Sequence, residues 1–335
     1  MTQPASQTGA PAAGTSDAAP PILDVTYRNY DGPLHSRAVR WWIVSLATIR
    51  LATRRWWFWL LAIISTWPYL FFGIMLYVQS QMPEGPRQQV LGAAADHQYA
   101  GIFYQAFDQH LFWLMLIGLA AGAATIANDN RTNALQVYLA RPITKGDYVL
   151  GKCAGVFLII LAAAFAPALV LYLFCLLSYM SEGFLRQEPW LILRILGACA
   201  IAAAAYTSLI VGVSAWCRSG LIAGAISAGA YFATSIISGI LWLVLFFGEI
   251  RSGAAMTRGV LVQHASISGV INGLAWNVFA VTLRIPMFQR RRGMPEIVEM
   301  VPPNVWVMAA AVALIVVGGF VAARVRVRAV EVVRG

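Results

Sequence analysis

The residues best equipped for chemistry fall in one polar stretch, 128–152, which reads N-D-N-R-T-N-A-L-Q-V-Y-L-A-R-P-I-T-K-G-D-Y-V-L-G-K between two long apolar runs. Asn128, Asp129 and Asn130 carry side-chain oxygens that accept from the free backbone N–H groups at a helix start. Ala134, Leu135, Tyr138 and Leu139 recur at three- and four-residue spacing, which predicts one apolar face on a short helix. Pro142 ends that helix and biases Arg141 toward extended backbone. Thr144 and Asp147 stand three apart and predict a capping box at the next helix start, with Asp in place of the usual Glu. The chemistry on offer is docking: a short amphipathic helix lies on a lipid surface or seats in another protein.

A second group lies within an apolar run. Ser227, Tyr231, Ser235 and Ser238 fall on one helical stripe with Thr234 beside it. In a membrane such a stripe faces protein or water, either as ordinary helix–helix hydrogen bonding or as the wall of a substrate path. Gly118 and Gly122 form a G-x-x-x-G pair with Ala121 and Thr125 nearby, which predicts close helix approach in a path or dimer interface.

Other chemistries lack their residues. No G-x-x-x-x-G-K-[ST] phosphate loop occurs, so this chain is not expected to be an ATPase or to hold a cofactor. Cys153, Cys175, Cys199 and Cys217 are scattered, and His35, His97, His110 and His264 are isolated, so no metal site is expected. No Ser/His/Asp or paired-carboxylate arrangement stands out. The predicted spans carry no Asp, Glu or Lys in their middles, which argues against proton coupling; sodium coupling through carbonyls and hydroxyls stays open.

The elements that must position these residues are membrane spans. The chain has 335 residues, 59% hydrophobic and 11% charged, a balance that marks a polytopic helical membrane protein, all-α. A transmembrane barrel would show segments of about ten alternating residues instead. The net charge of +10 comes from arginines beside apolar runs, so headgroups and orientation explain it, with no nucleic acid partner. Residues 1–26 are expected to be a disordered tail without the basic start and apolar centre of a signal peptide. Residues 27–55 carry an interfacial amphipathic helix with tryptophans at headgroup depth. Six spans are expected within 56–323: 56–78 kinked at Pro68, 111–127, 149–180 bending at Pro167, 190–216, 221–248 and 304–323. The arginines place both ends, including the basic tail 324–335, in the cytoplasm, and loops 79–110 and 181–189 outside. Arg194 is expected to snorkel to the headgroups. An outer loop, 249–303, carries an interfacial or partly re-entrant helix. Its apolar face is Ile267, Val270, Ile271, Leu274 and Val278, and its polar face Ser266, Ser268, Asn272 and Asn277. That leaves Arg290, Arg291 and Arg292 outside, against the charge rule.

The 128–152 stretch resembles the first cytoplasmic loop of the ABC transporter type 2 permease family. Asp129, Arg131, Leu135, Leu139, Pro142, Ile143, Lys145, Tyr148, Gly151 and Lys152 carry the match. The Y-R-N-Y-D-G element at 27–32 and the R-V-R-A-V-E-V-V ending at 326–333 are similar to short terminal elements of the same family. The resemblance implies that the loop is a coupling helix gripped by a separate ATPase. Asp129, Arg131, Leu135, Tyr138, Leu139, Arg141, Pro142 and Asp147 would form the docking region, and Lys145 and Lys152 would anchor it at headgroups. It also implies two such ATPases holding ATP and Mg, a second permease half, identical or related, and a path formed by spans two and five. The location would be the cytoplasmic (inner) membrane, and the direction export. A secondary carrier without an ATPase, and a non-transporting scaffold that anchors a cytoplasmic partner, fit the same residues in other ways.

Overall fold

The computed structural model describes residues 39–81, 98–134, 143–180, 183–252, 262, 264–281, 283–288, 295–300 and 302–327. The expected tail 1–26, the 27–32 element, Leu135, Tyr138, Leu139, Arg141, Pro142 and Arg290–Arg292 lie outside the described residues.

Six helices, or helix pairs, are long and apolar enough to cross a membrane. A 14-residue helix, α1 (Arg40–Thr53), precedes them. The first span is α2 (Trp56–Ile64) followed by α3 (Trp67–Ser80). The break falls just before Pro68, whose ring disfavours helical backbone ahead of it. Ser65 Oγ and Thr66 Oγ1 turn back to donate to the Ala62 and Ile63 carbonyls at 2.6 and 2.7 Å, so the bend keeps its polar groups paired.

The second span is α4 (Gln98–Gly122) and a short continuation, α5 (Ala127–Arg131). It starts well before residue 111, the expected start, so Asp108 and His110 belong to a helix rather than to a loop. The third span is α6 (Lys145–Tyr179), which continues through Pro167. The capping box is present: Asp147 N–H donates to Thr144 Oγ1 at 3.1 Å and Thr144 N–H donates to Asp147 Oδ2 at 3.2 Å. A four-residue helix, α7 (Phe184–Gln187), leads to α8 (Leu191–Trp216). The fifth span starts α9 (Gly220–Ser252), and the sixth is α11 (Val305–Arg326).

Between them lies α10 (Ile267–Phe279), followed by an antiparallel pair, β1 (Leu283–Phe288) with β2 (Pro295–Met300), in register Leu283–Met300 to Phe288–Pro295. The expectation of an all-helical chain therefore holds for the spans, and this hairpin is an addition to it. Helix α10 is not free on a surface either. It packs against α4, α8, α9 and α11, and both its apolar Ile271 and its polar Asn272 are buried.

The core gathers around α8, which touches α4, α6, α9, α10 and α11. Lipid tails are as apolar as leucine, so association of spans depends on close packing and internal hydrogen bonds. The alanines of α8 permit that. Helices α8 and α11 cross where Gly212 faces the Gly319 backbone; a Cβ on Gly212 would lie 2.9 Å from the Gly319 carbonyl oxygen. A Cβ on Gly319 would collide with the Ser208 backbone. Gly118 and Gly122 serve the same purpose inside this chain. Added methyls would meet Ile210 and Ile160 at 2.7 and 3.1 Å, and Ile210 and Val156 at 3.0 and 3.2 Å. These two glycines thus pack α4 onto α6 and α8, and do not form an open face for a second copy.

Candidate coupling site

One end of the bundle is tied together by Asp129. It lies in the first turn of α5, not at a cap: the N-cap is Ile126, and Asn128 and Asn130 also lie within α5. Across from it, Tyr148 and Lys152 stand one turn apart on α6, so both reach the same point. Tyr148 O–H donates to Asp129 Oδ2 at 2.6 Å, and Lys152 Nζ lies 2.9 Å from the same oxygen. Lys152 Nζ also donates to the Thr125 carbonyl at 3.2 Å and sits 5.6 Å from the centre of the Tyr148 ring. A lysine drawn in from water needs its protons occupied, and here a carboxylate, a carbonyl and a ring face surround it. Lys152 is therefore turned inward at 6% exposure, where the sequence suggested a headgroup anchor. Its geometry is that of an internal staple. Arg131 and Lys145, by contrast, are exposed.

The staple is anchored on two sides. Gly151 admits α1: a Cβ there would lie 2.6 Å from both the Trp41 carbonyl oxygen and Val44 Cβ. Ser45 Oγ donates to the Gly151 carbonyl at 2.9 Å, and Gly155 faces Thr48 and the Ser45 carbonyl. On the other side Asn130 Nδ2 donates to the Ala215 and Cys217 carbonyls at 3.0 and 3.2 Å, at the end of α8. Ser214 Oγ accepts from the Ile126 and Ala127 N–H groups and donates to the Ala123 carbonyl. Those bonds satisfy the backbone freed where α4 gives way to α5. A crevice of about 120 Å³, lined in part by Thr48, Arg55, Thr125, Asn128, Asp129 and Lys152, opens beside the cluster.

The arrangement joins the two feet of the 134–142 segment to each other, to α1 and to the end of α8. A family model described as ABC-2 family transporter protein matches residues 42–323. The chain belongs to that family. It is thus a multi-pass membrane protein and the permease subunit of an ABC transporter, not itself an ATPase. Members of this family generally work with an ABC ATPase. No curated protein matches the chain. Within the permease motif, the structure gives the final Gly-Lys pair distinct tasks: Gly151 receives α1, and Lys152 holds Asp129.

The fifth-span stripe faces α10. Ser238 Oγ donates to the Val262 carbonyl at 2.6 Å, and Ser235 Oγ lies 3.3 Å from Ser268 Oγ. Thr234 Oγ1 accepts from Ile267 N–H at 3.5 Å, while Tyr231 and Ser227 are buried. Thr125 donates within its own helix, to the Ala121 carbonyl at 2.8 Å. Arg194 does not snorkel: it donates to Glu188 and to the Phe279 carbonyl, each at 3.2 Å.

Sequence reading missed a second polar cluster, at the far end of α4. Asp108, Ser235, Ser238, His264, Ser266, Ser268 and Asn272 line a cavity of about 260 Å³ between α4, α9 and the start of α10. Asn272 Nδ2 donates to Asp108 Oδ1 at 2.6 Å. His264 Nδ1 lies 2.9 Å from the Gly269 carbonyl, which can only accept, so Nδ1 carries the proton. Burial holds the His264 pKa below its usual range, opposed by that backbone bond, and the ring is neutral with Nε2 an acceptor. The available signal was the spacing of Asp108 from the later half of its span, which fits one continuous helix.

Proposed function

We propose that this permease is one half of an ATP-driven exporter, moved by a separate ATPase seated on residues 134–142. The observation that carries the reading is the Asp129–Tyr148–Lys152 staple. It fixes both feet of that segment to the bundle, so a push on the segment moves α5, α6 and α1 together. The break at 123–126 separates this unit from the long α4, and such a helix interruption is where a rigid displacement is absorbed. Leu135, Tyr138, Leu139 and Pro142 form the docking surface, with the exposed Arg131 and Lys145 at its margins. Asp129 and Lys152 act by positioning it, and Asp147 by capping α6. ATP and Mg belong to the ATPase, with two ATPases and two permease halves per complex, in the cytoplasmic membrane with both ends inside. The direction follows the family resemblance.

The test is co-purification from detergent with the ATPase encoded beside the permease gene. Leu135→Asp with Leu139→Asp should abolish recovery of the ATPase while the permease still elutes as a folded species. Unchanged recovery rejects the docking assignment. A cysteine placed at Gln136 should react with a membrane-impermeant reagent only in inverted vesicles; labelling in intact cells reverses the orientation and ends the proposal.

A further inference from the structure

The cavity at the Asp108 end is built for a ligand that donates hydrogen bonds. Its walls combine one carboxylate, Asp108, with two acceptors that have no hydrogen-bond partner, His264 Nε2 and Asn272 Oδ1. Both residues are more than nine-tenths buried, at 3% and 7% exposure. Their orientations are fixed from behind. The Gly269 carbonyl holds the His264 tautomer, and Asp108 holds the Asn272 amide with its nitrogen toward the carboxylate, so the amide oxygen is left over. The His264 ring is braced against Trp276, with ring centres 5.9 Å apart. Ser235, Ser266 and Ser268 add hydroxyls, which can turn either way. Stranding two acceptors beside a carboxylate is unfavourable unless something with several N–H or O–H donors enters. The cavity holds about 260 Å³, ample for a small cationic head. Asp108 and Asp129 share one span and stand roughly 30 Å apart at 1.5 Å per residue, the thickness of a bilayer core. The cavity and the coupling site therefore occupy opposite ends of the same element.

We propose that the Asp108–His264–Asn272 cavity binds a primary ammonium group, carried by an amine or by an aminolipid headgroup. The three N–H donors of such a group match the carboxylate, the imidazole Nε2 and the amide oxygen, and its charge matches Asp108. This goes beyond the permease reading and rests on it only for the meaning of the ligand, as cargo or as a lipid sensed from the far face. The binding itself is tested without any ATPase.

The experiment uses the full chain purified into nanodiscs of phosphatidylcholine, titrated calorimetrically with n-butylammonium. Saturable binding is expected, weakened at least about tenfold in Asp108→Asn, the scale of one charge-assisted contact. His264→Phe keeps the ring against Trp276 and removes only the acceptor, so it should also weaken binding while elution and thermal unfolding stay as in the parent. Tetramethylammonium, a cation without N–H donors, should compete poorly. In nanodiscs containing phosphatidylethanolamine, reduced butylammonium affinity identifies the lipid as the source, and unchanged affinity identifies a free amine. Absence of saturable binding means the cavity holds only water and overturns the proposal. So does equal binding by the parent and both variants, or equal competition by tetramethylammonium or sodium. Loss of ATPase recovery in the pull-down, with butylammonium binding intact, would touch the coupling reading alone.

Discussion

Removing the lysine of the staple is the sharpest test of how this permease holds its coupling segment. In Lys152→Met the Asp129 carboxylate loses a cation at 2.9 Å and keeps the Tyr148 hydroxyl. At an effective dielectric of about 20, the Coulomb attraction lost is roughly 6 kcal/mol, before the cost of desolvating either group is subtracted. Breaking a fully buried pair by removing one partner costs about 3–5 kcal/mol, because the other charge is stranded. Here the side chains are 8% and 17% exposed, so water reaches Asp129 in part, and about 2–3 kcal/mol is expected. Asp129→Asn should cost a similar amount, since it strands Lys152. The double variant should cost no more than either single one, giving a coupling energy of about 2 kcal/mol. The assay is a double-mutant cycle on unfolding in mixed micelles, followed by tryptophan fluorescence. Additive losses, with coupling below about 0.5 kcal/mol, would refute the staple. So would full ATPase recovery by both single variants.

Other outcomes follow from the same geometry. Gly151→Ala should push α1 off α6, cost about 1–3 kcal/mol by overpacking, and expose α1 to limited proteolysis, whereas Gly229→Ala, which meets no atom within 4 Å, should be silent. Thr144→Ala should lose about 1 kcal/mol of capping and weaken ATPase recovery, both measurable beside Thr144→Ser, which keeps the cap. Burial lowers the His264 pKa, so its stabilising contribution is complete above its ordinary value of 6.5 and is lost as pH falls below it. The thermal unfolding temperature of the parent should therefore drop more steeply with acid than that of His264→Phe.

The amino-acid sequence by itself determined the class and the layout. Runs of about twenty apolar residues have few places to go but a bilayer, and the backbone inside one must be helical. That is why the fourth and sixth spans fall within a few residues of their expected bounds. The capping box at Thr144 was equally legible, because caps are local and their donors lie three residues away. The family motif was readable as an order of residue types, without the reason for each one.

Tertiary structure decided what those types do. Lys152 looked like a headgroup anchor because a lysine beside a span usually reaches for water. Only the meeting of α5 with α6 supplies Asp129, Tyr148 and the Thr125 carbonyl, which hold it inside. Gly118 and Gly122 announced a close approach but not to what, since glycine spacing carries no address; the neighbours are Ile160, Ile210 and Val156 of the same chain. Asp108 was hidden because a charge near a span end reads as loop. Its partner Asn272 comes from a helix more than a hundred and fifty residues later in the sequence. Periodicity describes one helix at a time, whereas a buried polar group is settled by whichever helices surround it.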